Sequence, residues 1–374
     1  MTRRVFVSDV HMSPGWSLGG DKKYFYDWCR TEDAANFEGF LNYLAGSAQY
    51  DEVILLGDIM DTWIYPVGGD KNNGLPSFGD IAAAKASVIN ALNDLVTEYS
   101  KQKKRVVYVR GNHDMTITNG EILTIFPGMA ILDPYDSGDG IRAEHGHQYT
   151  MWNAKDTRNN VPVGYYISRL YATTHANGNQ DYRLPDIQKA VFSPNDPQYG
   201  LVGNWFVNKP LTCLADDAGV TEDGTIVMPT NANTTLKEAR GLYTHLIPDW
   251  ETDYGDADVL RSVERELGKD LSDAARSISW NEKKQVVVFG HTHLDTLQVL
   301  APPGRQPPPP RGPVDDLRYG IYANCGGWCQ DNPPVSNSYT FVVTESDNGH
   351  HKVSLMHWEG AGKEPTLKQE PETI

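Results

Sequence analysis

The chain is poor in several features, and each lack excludes something. It has only 4 cysteines in 374 residues. That is far too few for a disulfide scaffold, so Cys29, Cys213, Cys325 and Cys329 are read as reduced thiols. The spacing Cys325-Gly-Gly-Trp-Cys329 leaves three residues between its sulfurs, unlike the two of common zinc and thioredoxin motifs. No apolar run approaches 18 residues, so no membrane span is expected. Basic residues are in the minority, 33 against 49 acidic, for a net charge of −16. A broad grip on nucleic acid or an anionic membrane is therefore not expected. Arg3-Arg4 is followed by no signal-type apolar stretch, and a cytoplasmic location is expected. No internal repeat of fixed period is present.

What is present suffices for a folded core. Apolar residues make up 39% and aromatics 10%, which excludes whole-chain disorder. At roughly 150 residues per domain, the length suits two or three domains, or one large domain with insertions. Apolar runs at 5–7, 53–56 and 106–109 read as strands. Helical spacings at 37–44 and 81–99 separate them. This alternation implies right-handed crossovers and a mostly parallel layer. A strand resumes at 286–289, and candidate strands at 297–300, 319–323, 339–343 and 353–356 follow as antiparallel neighbours. Residues 152–280 differ. They hold helical patterns at 163–174 and 259–278 among Pro-, Asn- and Asp-rich pieces such as 193–197, and read as a mainly helical cap insertion. The core is then 1–151 plus 281–358. A stiff loop rich in proline spans 301–313, and a polar tail, 359–374, is expected to fray.

Five polar clusters stand out, and four directly follow an apolar strand. They are Asp9-Val10-His11, Gly57-Asp58-Ile59-Met60-Asp61, Gly111-Asn112-His113-Asp114, His145-Gly146-His147 and Gly290-His291-Thr292-His293. Open α/β sheets gather ligands at the carboxyl ends of their strands, so distant clusters can converge. Their donors are carboxylates, an amide oxygen and imidazoles. That set suits Mn, Fe or Zn rather than a soft thiolate metal. Asp9, His11, Asp58, Asn112, His145, His291 and His293 supply the seven donors that a pair of ions needs. Taken singly, each cluster can be a turn or a strand-end cap; the ordered set of five is what points to chemistry.

The set resembles the calcineurin-like metallophosphoesterase superfamily, whose blocks are D-x-H, G-D-x-x-D, G-N-H-D/E, a lone H and G-H-x-H. All are present in order, across residues 3–151 and 284–344. Asn324-Cys325-Gly326-Gly327-Trp328 is also similar to a strand end of the UDP-2,3-diacylglucosamine pyrophosphohydrolase branch. That branch carries His-Gly-Asp at the fourth block, where this chain has His145-Gly146-His147. The resemblance implies an αββα sandwich, a β-sandwich flanked by helices, around two divalent or mixed-valence ions. It implies that Asp9, His11 and His293 hold one ion, that Asn112, His145 and His291 hold the other, and that Asp58 bridges. His147 is the alternative to His145, which matches the His of His-Gly-Asp.

Two ions about 3.5–4 Å apart can share a hydroxide and stabilise an in-line displacement at phosphorus. His113 neighbours a ligand, so its side chain diverges from the metals towards the phosphate. There it can serve the phosphoryl oxygen or the leaving group. Asp114 can orient that imidazole, and Asp61 can brace a ligating His. Arg110 is a candidate phosphate contact, as are Tyr165, Tyr166 and Arg169 on the helix that follows. Trp63 reads as pocket wall or core, and His175 and His245 as solvated. The expected activity is hydrolysis of small phosphodiesters or pyrophosphates. Phosphomonoesterase or protein phosphatase, nuclease and non-catalytic scaffold are the alternatives.

Overall fold

In the computed structural model, residues 1–16, 27–68, 75–156, 158–177, 204–229, 232–268, 270–301, 320–329 and 339–374 are described. The proline-rich 301–313 stretch, apart from Ala301, and the 193–197 piece lie outside them. The strands are β1 (Thr2–Val7), β2 (Glu52–Leu56), β3 (Arg105–Val109), β4 (Ala130–Ile131), β5 (Tyr135–Asp136), β6 (Ile141–Ala143), β7 (Thr225–Val227) and β8 (Asn233–Thr235). They continue with β9 (Val286–Phe289), β10 (Thr296–Leu300), β11 (Gly320–Asn324), β12 (Thr340–Asp347), β13 (His350–His357), β14 (Thr366–Leu367) and β15 (Glu372–Thr373). The helices are α1 (Thr31–Gly46), α2 (Phe78–Ala84), α3 (Ala86–Lys101), α4 (Asn119–Ile125), α5 (Val163–Ala176), α6 (Asn204–Ala218), α7 (Leu236–Leu242), α8 (Leu246–Tyr254), α9 (Asp256–Gly268) and α10 (Ser272–Glu282).

Two mixed sheets stack face to face. The first runs β14-β13-β12-β1-β2-β3-β4, with β15 also on β13, and the second runs β10-β11-β9-β6-β5. Strand alternation explains the layering. Val5, Val7, Val53, Leu55, Val106 and Tyr108 face outward onto Phe37, Phe40 and Leu44 of α1 and Leu92, Leu95 and Tyr99 of α3. Their neighbours Phe6, Ile54, Leu56, Val107 and Val109 face inward, onto Val286, Val288, Ile321 and Ala323 of the second sheet. That sheet turns Val287, Phe289 and Tyr322 to Ala274, Ala275 and Ile278 of α10. The order of layers is helix, sheet, sheet, helix. Helix α10 thus packs on the second sheet, although most of its length falls within 152–280. Helices α5 to α8 and the β7–β8 hairpin gather around a separate core that includes Tyr165, Tyr166, Leu170, Leu211, Leu214, Ile226 and Trp250.

Several local expectations are corrected. The helix expected over 81–99 is two helices, broken at Lys85, whose backbone sits at φ −110° and ψ 34°. Its Nζ lies 2.6 Å from Asp27 Oδ2 and also donates to the Cys29 carbonyl at 2.5 Å. The helix expected over 259–278 is likewise split, into α9 and α10. The C-terminal candidate strands do not form one antiparallel group. β10–β11 and β12–β13 are antiparallel pairs, but β11 runs parallel to β9, and β12 joins β1 in the other sheet. The polar tail is not frayed. β14 and β15 pair with β13, and Ile374 exchanges backbone hydrogen bonds with His351 at 2.8 and 2.9 Å. The open edge of β13 supplies the unpaired backbone groups that hold it.

Candidate metal centre

The five polar clusters leave the sheets at one end. The loops after β1 and β2 continue to pair beyond their strands. Asp9 N donates to Gly57 O at 3.1 Å, Val10 N and His11 N to Asp58 O at 3.0 and 2.8 Å, and Met12 N to Ile59 O at 3.0 Å. Asp9, His11, Asp58, His291 and His293 all have positive φ, between 50° and 69°. Such a conformation is unfavourable for a residue with a Cβ, and it concentrates where a site needs it. Space is equally tight. A Cβ on Gly111 would lie 2.6 Å from Asp58 N and 2.8 Å from Asp58 Cγ, and closer still to Oδ1. One on Gly57 would lie 2.5 Å from His145 Nδ1.

The side chains converge on two carboxylates. Asp9 Oδ1 is 3.2 Å from His293 Nε2, 3.8 Å from His11 Nε2 and 3.9 Å from His145 Nε2. Asp58 Oδ2 is 3.1 Å from His145 Nε2 and 3.7 Å from His11 Nε2. Asp58, His145 and His291 bring ligand atoms within 4.8 Å of one another. The far side of each ring is occupied. His11 Nδ1 is 2.7 Å from Asp61 Oδ2, His145 Nδ1 is 2.8 Å from Leu56 O, His291 Nε2 is 3.1 Å from Thr150 Oγ1, and His293 Nδ1 is 3.9 Å from Cys329 Sγ.

Among the described residues, Asp9 Oδ1, Asn112 Oδ1 and His145 Nε2 are buried without a hydrogen-bond partner. Orphaned polar atoms of this kind are costly unless something fills the space between them. Electrostatics points the same way. Burial opposes ionisation of Asp9 and Asp58, yet the neighbouring imidazoles, His293 and His145 for Asp9 and His145 and His113 for Asp58, hold both carboxyls below their ordinary range. Burial also opposes protonation of His145, but Asp58 and Asp9 push it up to about 9. The site draws positive charge to its centre. The donors fit borderline-to-hard divalent ions. Each ring holds one nitrogen and aims the other inward, as metal-binding histidines do.

A family profile described as calcineurin-like phosphoesterase matches residues 2–295. The chain belongs to the calcineurin-like phosphoesterases. The family hydrolyses phosphoesters with a dinuclear divalent metal centre, and the Asp and His clusters of this chain fit one. No curated protein matches this phosphoesterase. Similar solved structures include a predicted phosphoesterase from Streptococcus pneumoniae TIGR4, at TM-score 0.32 and 9% identity, covering 100% of this chain and 97% of that one. A single-mutant Vps29 from Entamoeba histolytica aligns at TM-score 0.33 and 10% identity, covering 100% and 99%. No helix among the described residues of this phosphoesterase is long and apolar enough to cross a membrane.

Other expected site residues fall differently. His113 packs against Trp63 with ring centroids 4.5 Å apart and planes tilted by 32°, and its Nδ1 lies 2.8 Å from Asp61 Oδ2. The carboxylate beside His113 is therefore that of Asp61. Asp114, expected in that role, instead accepts hydrogen bonds from Tyr108 Oη at 2.6 Å, Gly111 N at 2.6 Å and Ile59 N at 3.0 Å. It holds the turn that presents Asn112 and His113. Arg110 does not reach the site; it is bound by Asp133, Asn119 and the Ile117 carbonyl. Arg169 is buried against the carbonyls of Tyr65, Pro66 and Val227, and Tyr165 and Tyr166 contact Val227 O and Met228 Sδ. These are packing contacts within the fold. His147 is pushed down to about 3 by burial and then by His145. Its ring centroid lies 5.5 Å from that of His145. His175 and His245 are not solvated: His175 is buried, and His245 Nε2 lies 2.8 Å from Asp156 Oδ2.

Sequence patterns had no signal for four contributors. Trp28 lies against His11, His113 and His293, with centroids 5.0, 6.1 and 6.2 Å away. Thr150, Asn153 and Glu266 belong to no motif. The Asn324-x-Gly326-x-Trp328 element acts as a brace. Asn324 Nδ2 donates to Gly290 O at 2.7 Å, and Trp328 N donates to Asp9 O at 2.9 Å.

Proposed function

We propose that this phosphoesterase hydrolyses phosphodiesters or pyrophosphates of small organic molecules. The observation that supports metal-dependent chemistry is that Asp9 Oδ1 and His145 Nε2, 3.9 Å apart, are buried without a hydrogen-bond partner, as is Asn112 Oδ1. Asp9, His11 and His293 would hold one divalent ion. Asn112, His145 and His291 would hold the other, and Asp58 both. His145 is preferred to His147 because its Nε2 lies 3.1 Å from Asp58. Bound ions of this kind supply Lewis-acid charge to phosphoryl oxygens and activate water.

His113 would carry a proton at a phosphoryl oxygen or the leaving group, with Asp61 orienting its ring. Asp114 would act through the turn and not on substrate. Trp28 would give the organic group of the substrate an apolar wall, while Trp63, fully buried, backs His113. Helices α5 to α9 would cap the site as an insertion, with α10 counted in the sandwich. The net charge of −16 favours small substrates over long polyanions.

A screen of the Mn-, Fe- or Zn-loaded chain against a monoester, a diester, a nucleotide pyrophosphate and a phosphotriester tests this reading. Preferred turnover of the diester or pyrophosphate is expected. Turnover confined to the monoester would refute the substrate class.

A further inference from the structure

An amide has two unlike ends. Asn112 could serve a cation only through Oδ1, because its NH2 group is a donor. Oδ1 is the buried, unpartnered end, whereas Nδ2 donates to Asn153 Oδ1 at 3.3 Å. Asn153 Nδ2 in turn faces both oxygens of Glu266, at 3.0 and 3.3 Å. An ionised carboxylate can only accept. Glu266 therefore decides which end of Asn153 faces Asn112, and Asn153 decides which end of Asn112 faces the site. Polarity passes from carboxylate to amide to amide.

Thr150, three residues before Asn153, applies the same logic to His291. Its one hydroxyl proton is directed at the His147 carbonyl, 3.1 Å away. The hydroxyl oxygen, 3.1 Å from His291 Nε2, then accepts that ring's N–H. Nδ1 of His291 is left as the lone-pair nitrogen. The 149–153 segment is itself gripped by α9. Ser262 Oγ accepts from Met151 N at 2.6 Å, and Arg265 Nη1 donates to Tyr149 O at 3.1 Å.

We infer that α9, through Glu266–Asn153 and the gripped Thr150, is an outer clamp that sets the proton polarity of Asn112 and His291 and thereby the affinity for one of the two ions. Asn153, Glu266 and Thr150 are positioning residues. The inference rests on the ligand roles proposed above for Asn112 and His291. It ties a helix outside the five motifs to half of the metal centre.

The test is a Mn²⁺ titration of the dialysed full chain, with bound ions counted by elemental analysis and thermal melting followed alongside. The parent should bind two ions. Asn153→Leu should weaken one of them by roughly tenfold or more, the usual loss when the partner of a ligand is removed, and spare the other. Glu266→Leu should weaken the same ion, while Glu266→Gln, which keeps an acceptor oxygen, should restore most of the affinity. If Asn153→Leu does not fold, the near-isosteric Thr150→Val probes the other arm and should also weaken one ion. Folded variants that bind both ions with parent affinity would overturn the clamp. A parent that binds fewer than two ions would instead overturn the ligand reading, and the clamp with it.

Discussion

Asp61→Asn changes one atom and tests how the site sets the proton on His11. Asp61 is buried and its carboxyl is pushed down to about 2; burial opposes this, but His113 and His11 outweigh it. It is therefore ionised at any working pH. Oδ1 accepts the backbone N–H groups of Trp63 and Ile64 at 2.7 and 3.1 Å, and Oδ2 lies 2.7 Å from His11 Nδ1. Accepting at that point keeps the His11 proton on Nδ1 and leaves Nε2 as a lone pair towards Asp9, Asp58 and His293. Asparagine has one carbonyl oxygen. The two backbone donors hold it at the Oδ1 position, since an NH2 there would face two N–H groups. The NH2 then meets His11 Nδ1, and His11 must move its proton to Nε2. The inward lone pair is lost. Outer partners of ligating histidines are typically worth about 10–100-fold in metal affinity or activity, or about 1.4–2.7 kcal/mol. The assay is metal titration of the dialysed chain with turnover on the best screened substrate, and melting as a control for folding. Parent-like affinity and turnover in a folded Asp61→Asn chain would refute the reasoning.

Two further predictions bear on packing and pH. Gly111→Ala places a Cβ 2.6 Å from Asp58 N, where no flexible side chain can yield. Metal binding should be lost or weakened at least about tenfold, as for other misplaced ligands, and elemental analysis showing two ions at parent affinity would contradict this. His351 is buried between Ser346 Oγ at 2.9 Å and Gln285 Oε1 at 3.0 Å. Burial lowers its pKa; Asp139 opposes that shift, while Arg4 and His350 add to it. The unfolded chain binds a proton near pH 6.5 and the folded chain only below that, so this contribution is full above about pH 6.5 and shrinks as pH falls through the folded value. Denaturant midpoints at pH 7.5 and 5 should therefore fall less with acid in His351→Gln than in the parent. An equal fall would exclude the effect.

Much of the architecture was readable because the strands repeat an elementary pattern. Val5–Val7, Val53–Leu56, Val106–Val109 and Val286–Phe289 are apolar on both faces, as strands buried between helices and a second sheet must be. Each ends at a polar residue or a glycine, where the carboxyl end of the sheet opens. Breaks were less readable. The stop at Lys85 depends on Asp27 and the Cys29 carbonyl, more than 50 residues away. The tail looked too polar to fold, yet its backbone pairs with an edge strand that local composition cannot reveal.

The sequence alone determined the candidate donor types and the strand exits that carry them, because donor chemistry and apolar periodicity are written residue by residue. Only the tertiary structure decided orientation. It drew Asp61 rather than Asp114 to His113, sent Arg110 away to Asp133, and set Asn153 and Glu266 behind Asn112. A hydrogen bond depends on distance and on which end of a group is a donor, and residues 41 or 113 apart acquire both only when the chain is folded.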